Sequence, residues 1–184
     1  MNDLLLLSRQ IGVSERTLRR AFNEGAIHGQ RLSPRRLKLS ASERSYVLSK
    51  WSLIARLRAV LRTEPNVSFA LLFGSAARGD DTPASDIDLL VEARDPSLVR
   101  LVDLGMKLEA ALDRKVDILA LEDAEESPPL LAEALRDGRV LIDRNDRWPK
   151  LRARRERKGT GSETWSRQRR ERALAAIDRL RAEI

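Results

Sequence analysis

The sequence predicts an α/β (α+β) fold: a small mixed-sheet domain, preceded by a helical module and followed by a basic helical tail. Three observations carry that expectation. Between residues 67 and 143, short apolar runs rich in β-branched and aliphatic residues alternate with stretches of helical period, as strands and helices sharing one core do. Charge divides the 184 residues into three pieces, +9 over 1–62, −10 over 63–143 and +8 over 144–184. Aromatic residues make up 4% against 42% apolar residues in total, so the core must be aliphatic.

The expected divisions are a helix-turn-helix module at 1–38, a linking helix at 39–66, the mixed-sheet domain at 67–143 and the basic tail at 144–184. In the first, Asp3 to Gln10 has a helical apolar face of Leu4, Leu5, Leu7 and Ile11. Gly12-Val13-Ser14 makes a turn, Ser14 caps a second helix over Glu15 to Asn23, and Glu24-Gly25 ends it. A glycine-containing turn followed by Ser14, Arg16, Thr17, Arg19 and Arg20 resembles a DNA-binding helix-turn-helix, whose second helix enters the major groove. An amphipathic helical hairpin made for packing alone has the same pattern. Residues 29–38 read as a basic, turn-rich connector that can touch phosphates. His28 reads as a surface or helix-end residue. The linking helix covers Ser42 to Arg62, with Ser42 as its cap, Tyr46, Trp51 and Ile54 on its core stripe, and Glu64-Pro65-Asn66 as its break.

In the middle piece, strands are expected at Val67 to Phe73, Asp86 to Val91, Val116 to Leu121 and Arg139 to Ile142. Helices are expected at Pro96 to Leu112, with Leu98 and Met106 among its apolar positions, and from Pro128/Pro129 to Arg136. In the tail, Arg144 to Glu163 lacks an apolar face, Gly159-Thr160-Gly161-Ser162 is a break, and Trp165 to Ile184 reads as a charged helix with a narrow apolar stripe. That last helix can pack on the domain or pair with another, including in a homo-oligomer.

Cysteine is absent and His28 is the single histidine, which excludes thiolate and His-rich metal sites and fits a reducing, cytoplasmic setting. Leu4 to Leu7 is too short to span a membrane. The basic ends favour polyanions such as DNA or RNA, although solvated arginine faces give the same composition.

The acidic middle carries the candidate chemistry. Gly74-Ser75 follows a strand directly and opens a short helix, where glycine allows close backbone approach and exposed N–H groups suit phosphate oxygens. Asp86 and Asp88 stand two apart on a strand and so share a face. Two such carboxylates repel unless a cation lies between them, and oxygen ligands of this kind suit Mg²⁺. Asp117, between Val116 and Ile118, is a third carboxylate in an apolar strand, where a lone charge is costly. Together they suit metal-assisted phosphoryl or nucleotidyl transfer.

Leu72-Phe73-Gly74-Ser75-Ala76-Ala77-Arg78-Gly79, then Ser85-Asp86-Ile87-Asp88-Leu89-Leu90-Val91, resembles the minimal nucleotidyltransferases of the DNA polymerase β superfamily. The resemblance spans residues 67–143 and extends to Lys115-Val116-Asp117-Ile118-Leu119 and to Glu133 to Gly138. It implies that Gly74 and Ser75 hold the β/γ-phosphates of a nucleoside triphosphate, ATP first among them, and that Asp86 and Asp88 bind Mg²⁺. It implies that Asp117 completes the metal site and helps activate the attacking hydroxyl, with Arg78 near phosphate or substrate. Minimal members lack an N-terminal helix-turn-helix, and the basic tail has no counterpart in the motif.

The resemblance therefore implies an enzyme that moves a nucleoside monophosphate from an NTP to a hydroxyl of a protein, RNA or small molecule, releasing pyrophosphate. Similar small proteins are antitoxins that modify a cognate HEPN toxin on tyrosine, so a toxin is one expected partner. The alternative is a DNA-binding regulator that senses nucleotide without turnover.

Overall fold

A computed structural model describes residues 3–34 and 36–157; the expected break at 159–162 and helix at 165–184 lie outside them. Helix α1 (Asp3–Ile11) and helix α2 (Glu15–Glu24) come first. Ser14 caps α2 by accepting the Thr17 N–H at 3.1 Å, and Gly25 ends it at φ 89°, in the left-handed region that favours glycine.

The connector at 29–38, expected to be basic and turn-rich, also forms regular structure around its turn. It pairs into a hairpin, β1 (Gln30–Arg31) against β2 (Leu37–Lys38), because Leu37 and Leu39 are both buried and pull the returning arm onto the core. Helix α3 (Ala41–Thr63) is capped by Ser40, which accepts the Glu43 N–H at 3.0 Å. Ser42, the expected cap, instead shares a hydroxyl contact with Ser40.

The sheet has the order β5-β4-β3-β6, with β3 (Val67–Phe73), β4 (Ile87–Ala93), β5 (Val116–Ala120) and β6 (Arg139–Asp143). β4 and β5 run parallel, joined by α5 (Leu98–Leu112); the β3 pairings are antiparallel. All of β3 is buried, because both faces of the sheet are covered. On one face Ala70, Leu72, Ile87, Leu89 and Val91 pack with α1, α2, α3 and α5 in a continuous core. On the other, Phe69, Leu71, Phe73 and Leu90 meet α6 (Leu121–Glu126), α7 (Pro128–Asp137) and α8 (Arg147–Arg157).

Four further expectations change. Strand β4 starts at Ile87, so Asp86 stands just before it. Leu98 and Met106 are exposed, since α5 needs only Leu104, Leu108 and Leu112 to cover its side of the sheet. Helix α6 follows β5 directly where no element was expected. Helix α8 falls within a stretch expected to lack an apolar face: Leu151 and Trp148 anchor it, and Asp143 accepts the backbone N–H groups of Arg147 and Trp148 at its start.

One buried polar cluster ties these pieces together. Arg139 donates to both Glu43 carboxylate oxygens at 2.7 and 2.9 Å, and to the Ala77 carbonyl at 2.7 Å. Its guanidinium lies 3.3 Å from the Tyr46 ring centre, and the Tyr46 hydroxyl donates to the Ala76 carbonyl. His28, expected at the surface or a helix end, is half-buried just after α2 and joins this cluster: its backbone N–H donates to Glu43 and its Nε2 meets the Gly138 carbonyl. Burial, then the Arg139 charge, push the His28 pKa down, against the opposing pull of Glu43, the Gly138 carbonyl and Asp137.

Two outcomes follow for stability. In urea unfolding, Glu43→Ala should lose about 3–5 kcal/mol by leaving Arg139 buried without its carboxylate, while Glu43→Leu with Arg139→Met recovers part of that loss; a near-neutral Glu43→Ala would contradict the cluster's role. A histidine with a lowered folded pKa contributes stability present above its unfolded value of 6.5 and lost as pH falls through the folded one. Stability should therefore decline as pH drops below about 6.5, and His28→Asn should remove that component.

Candidate active site

The end of β3, the start of β4 and the start of β5 meet at one end of the sheet. Helix α4 (Gly74–Arg78) begins there without a connecting loop. Gly74 takes φ +69°, and a Cβ built on it would lie 2.0 Å from Asp88 Oδ2. Any side chain at 74 would collide with that carboxylate, so the glycine is what lets the Gly-Ser backbone and Asp88 abut. Ser75 is half-buried beside it, and its carbonyl accepts the N–H groups of Gly79 and Asp80, which closes α4.

Asp88 and Asp117 face each other in register across the parallel pair β4 and β5, with exposures of 4% and 8%. Both lie on the side of the sheet that carries Leu90 and Leu119, by the alternation of strand side chains. Asp86, two residues before Asp88, extends the row toward solvent with its side chain 42% exposed. The Lys115 ammonium is 3.8 Å from Asp86 Oδ2 and 3.9 Å from Asp117 Oδ1. The structure thus brings Gly74, Ser75, Asp86, Asp88 and Asp117 together.

Arg78 ends α4, at the opposite end from Gly74. Its Nε pairs with Asp80 at 3.1 Å, and it lines a cavity of about 230 Å³ with His28, Tyr46, Asp137 and Arg139. The residues expected to touch DNA sit on α2. Arg16, Thr17 and Arg20 are exposed, Ser14 and Thr17 share a hydroxyl contact, and Arg19 and Arg20 pair with Glu15 and Glu24.

Sequence reading missed the residues that hold the loop between α4 and Asp86. Asp81, whose side chain is 1% exposed, binds Lys50 of α3 at 2.5 Å and Arg114 at 3.0 Å. Burial opposes ionisation of Asp81, but the Lys50 and Arg114 hydrogen bonds outweigh it and hold the carboxyl below its usual range. Arg114 also donates to the carbonyls of Thr82 and Ser85, which fixes the residue just before Asp86. Lys50, Asp81 and Arg114 are distant in sequence and belong to no short motif; no pattern of spacing announces them. Lys115 was visible beside Val116-Asp117 but its partners were not.

The carboxylates suit a hard divalent cation. Mg²⁺ is usually held by one or two carboxylates, with substrate phosphates and water filling the rest of its shell. Asp88 offers an oxygen against the Gly74 cradle, and Asp86 lies beside it. Among the described residues no group of three or more His, Cys, Asp or Glu side chains is placed to hold a metal ion by itself, so substrate oxygens and water would have to supply much of the shell.

The family model described as "Polymerase beta, Nucleotidyltransferase" matches residues 55–147. A putative protein adenylyltransferase of Methanocaldococcus jannaschii is 40% identical over 70 residues, covering 38% of this chain and 72% of that protein. A second from the same organism is 34% identical over 68 residues, covering 36% of this chain and 69% of that protein. Among solved structures, the crystal structure of a toxin-antitoxin with AMP-PNP is similar at 25% identity and a TM-score of 0.48, over 69% of this chain and 98% of that chain.

Two substitutions probe the geometry. Gly74→Ala should lose nucleotidyl transfer and cost ~1 kcal/mol or more in stability, because it combines positive φ with the Asp88 collision; full activity would contradict the abutment. Lys115→Ala should tighten Mg²⁺ or Mn²⁺ binding to the nucleotide-free protein, read by calorimetry, by about fivefold, the scale of a half-exposed ion pair. An unchanged or weaker affinity would contradict competition between Lys115 and the cation. From the three carboxylates at one sheet end, the Gly-Ser turn against Asp88 and the matched segment, it follows that this chain belongs to the polymerase beta nucleotidyltransferase family and is a nucleotidyltransferase.

Proposed function

We propose that the chain transfers AMP from ATP to a hydroxyl of a protein, with Mg²⁺, and that its N-terminal helices bind DNA. The observation that carries the catalytic half is the abutment of Gly74 and Asp88, with Asp117 in register one strand away. In this reading Gly74 and Ser75 hold the outer phosphates, while Asp86 and Asp88 would hold the cation, with Asp117 contributing. The cation supplies positive charge against the charge that develops on phosphate oxygens. The acceptor oxygen attacks the α-phosphorus, the bond between the α-phosphorus and its bridging oxygen breaks, pyrophosphate leaves, and Asp117 takes the hydroxyl proton.

The names of the two archaeal relatives favour a protein acceptor and ATP. The resemblance to minimal nucleotidyltransferases makes a cognate toxin tyrosine the first acceptor to test, with RNA 3′ ends next. The DNA half is favoured by the exposed Arg16, Thr17 and Arg20 on a helix that follows a glycine turn. A cytoplasmic location suits both halves, and no helix among the described residues is long and apolar enough to cross a membrane.

The protein, incubated with Mg²⁺ and candidate acceptors, should pass label from α-labelled but not γ-labelled ATP. Asp88→Asn should lower the rate at least about a hundredfold, the scale of several kcal/mol of lost transition-state stabilisation. Transfer from γ-labelled ATP, or an unaffected Asp88→Asn, would overturn the assignment. Nucleotide binding without transfer to any acceptor would favour the sensing regulator instead.

A further inference from the structure

We infer that the hairpin β1–β2 is a second nucleic-acid contact arm, fixed beside α2 so that a DNA duplex meets α2 in its groove and the hairpin along the adjoining phosphate backbone. This rests on the DNA-binding reading of α1 and α2. Residues 25–42 contain Arg31, Arg35, Arg36 and Lys38 and no acidic residue, so the arm has a single sign of charge.

The hairpin is held firmly. Leu37 and Leu39 anchor one side in the core, while Arg31, Ser33, Pro34, Arg36 and Lys38 face solvent. Its turn is locked by the Leu32 N–H on the Arg36 carbonyl at 2.9 Å and by the Arg36 N–H on the Ser33 hydroxyl at 3.1 Å. Its attitude toward α2 is fixed as well. Arg31 donates to Asn23 Oδ1 at 2.5 Å and lies over the Phe22 ring at 5.6 Å. Gly29 keeps the approach close, since a Cβ there would sit 2.6 Å from Leu39 and 3.2 Å from Phe22.

At about 100° per residue, Arg16, Arg20 and Asn23 fall within about 60° of one another on α2. Arg31 borders this face on the Asn23 side. Glu24, bound by Arg20 and Arg58, borders it on the other, and exposed Arg62 follows one turn after Arg58 on α3. Burial, then the nearby charges of Arg58 and Arg20, lower the Arg62 pKa against the pull of Glu24, which places Arg62 beside Arg20 and Arg58. Like charges gathered on one face repel one another, and duplex phosphates placed among them relieve that repulsion. A helix with polar readers between Arg31 on one side and the exposed Arg62 on the other suits a major groove bordered by two backbones. An apolar membrane surface would need large exposed hydrophobic side chains, and on the described hairpin only Leu32 is one.

The test is the salt dependence of binding to a fluorescein-labelled, mixed-sequence duplex of about 30 base pairs, roughly three helical turns, beside a single-stranded RNA of equal length. Arg36→Gln with Lys38→Gln leaves the Arg31–Asn23 contact in place. It should weaken duplex binding and flatten the plot of log K against log salt by about 1.8, or 0.9 for each lost phosphate contact. Melting temperature and nucleotidyl transfer should match the parent protein. Duplex binding that persists with an unchanged slope overturns the arm and leaves DNA binding by α2 standing. Absence of duplex binding by the parent protein overturns both, and a preference for the RNA overturns the duplex assignment.

Discussion

The buried pair of Arg139 and Glu43 is the interaction on which the rest of the molecule depends. Both side chains are almost fully withdrawn from water, at 6% and 8% exposure. A charge so placed is tolerated only when its partner and its remaining hydrogen bonds are in position. Here the partners come from four places: β6 supplies Arg139, α3 supplies Glu43 and Tyr46, α4 supplies the carbonyls of Ala76 and Ala77, and the chain after α2 supplies Ala26 and His28. Satisfying one guanidinium therefore fixes the position of α4, whose first residues form the candidate phosphate cradle. A replacement of the pair by apolar groups can preserve stability, but it cannot hold the Ala77 carbonyl of α4 by a hydrogen bond.

A second polar bridge works from the same helix. Lys50, two turns beyond Glu43 on α3, reaches Asp81, and Arg114 holds Asp81 together with the carbonyl of Ser85. Thus α3 braces both ends of the segment from Gly74 to Asp86, by Glu43 and Tyr46 at one end and Lys50 at the other. Those three residues precede the segment matched by the family model, which begins at residue 55. The N-terminal third is therefore more than an appended module: it supplies side chains that shape the candidate site.

Much of the sheet and site was legible because local rules decide them. The seven-residue apolar run Val67–Phe73 reads as a strand, and alternation along β4 puts Asp88 on the face of Leu90, with Asp86 just before the strand. Ser14 and Gly25 behave as caps because a hydroxyl and a positive φ are properties of single residues. What escaped reading depends on contacts between distant residues. Leu37 and Leu39 make a hairpin only because a core lies beneath them. Ser40 caps α3 because its backbone is extended just before the first helical residue, whereas Ser42 is already inside the helix. Trp148 and Leu151 make a helix of an arginine-rich stretch by packing into the apolar cluster on that face of the sheet. The role of His28 and the ties of Lys50, Asp81 and Arg114 need the tertiary fold, since nothing in their sequence spacing brings them together.

A crystal structure of the protein with Mg²⁺ and a non-hydrolysable ATP analogue tests the central claim most directly, that α4 is held so that the Gly74-Ser75 turn and Asp88 form one nucleotide site. The account predicts outer phosphates on the backbone of Gly74 and Ser75, a cation bound by Asp86 and Asp88, Lys115 moved off Asp86, and the Arg139–Glu43 pair unchanged. A triphosphate bound away from Gly74, or α4 displaced with that pair broken, would contradict it.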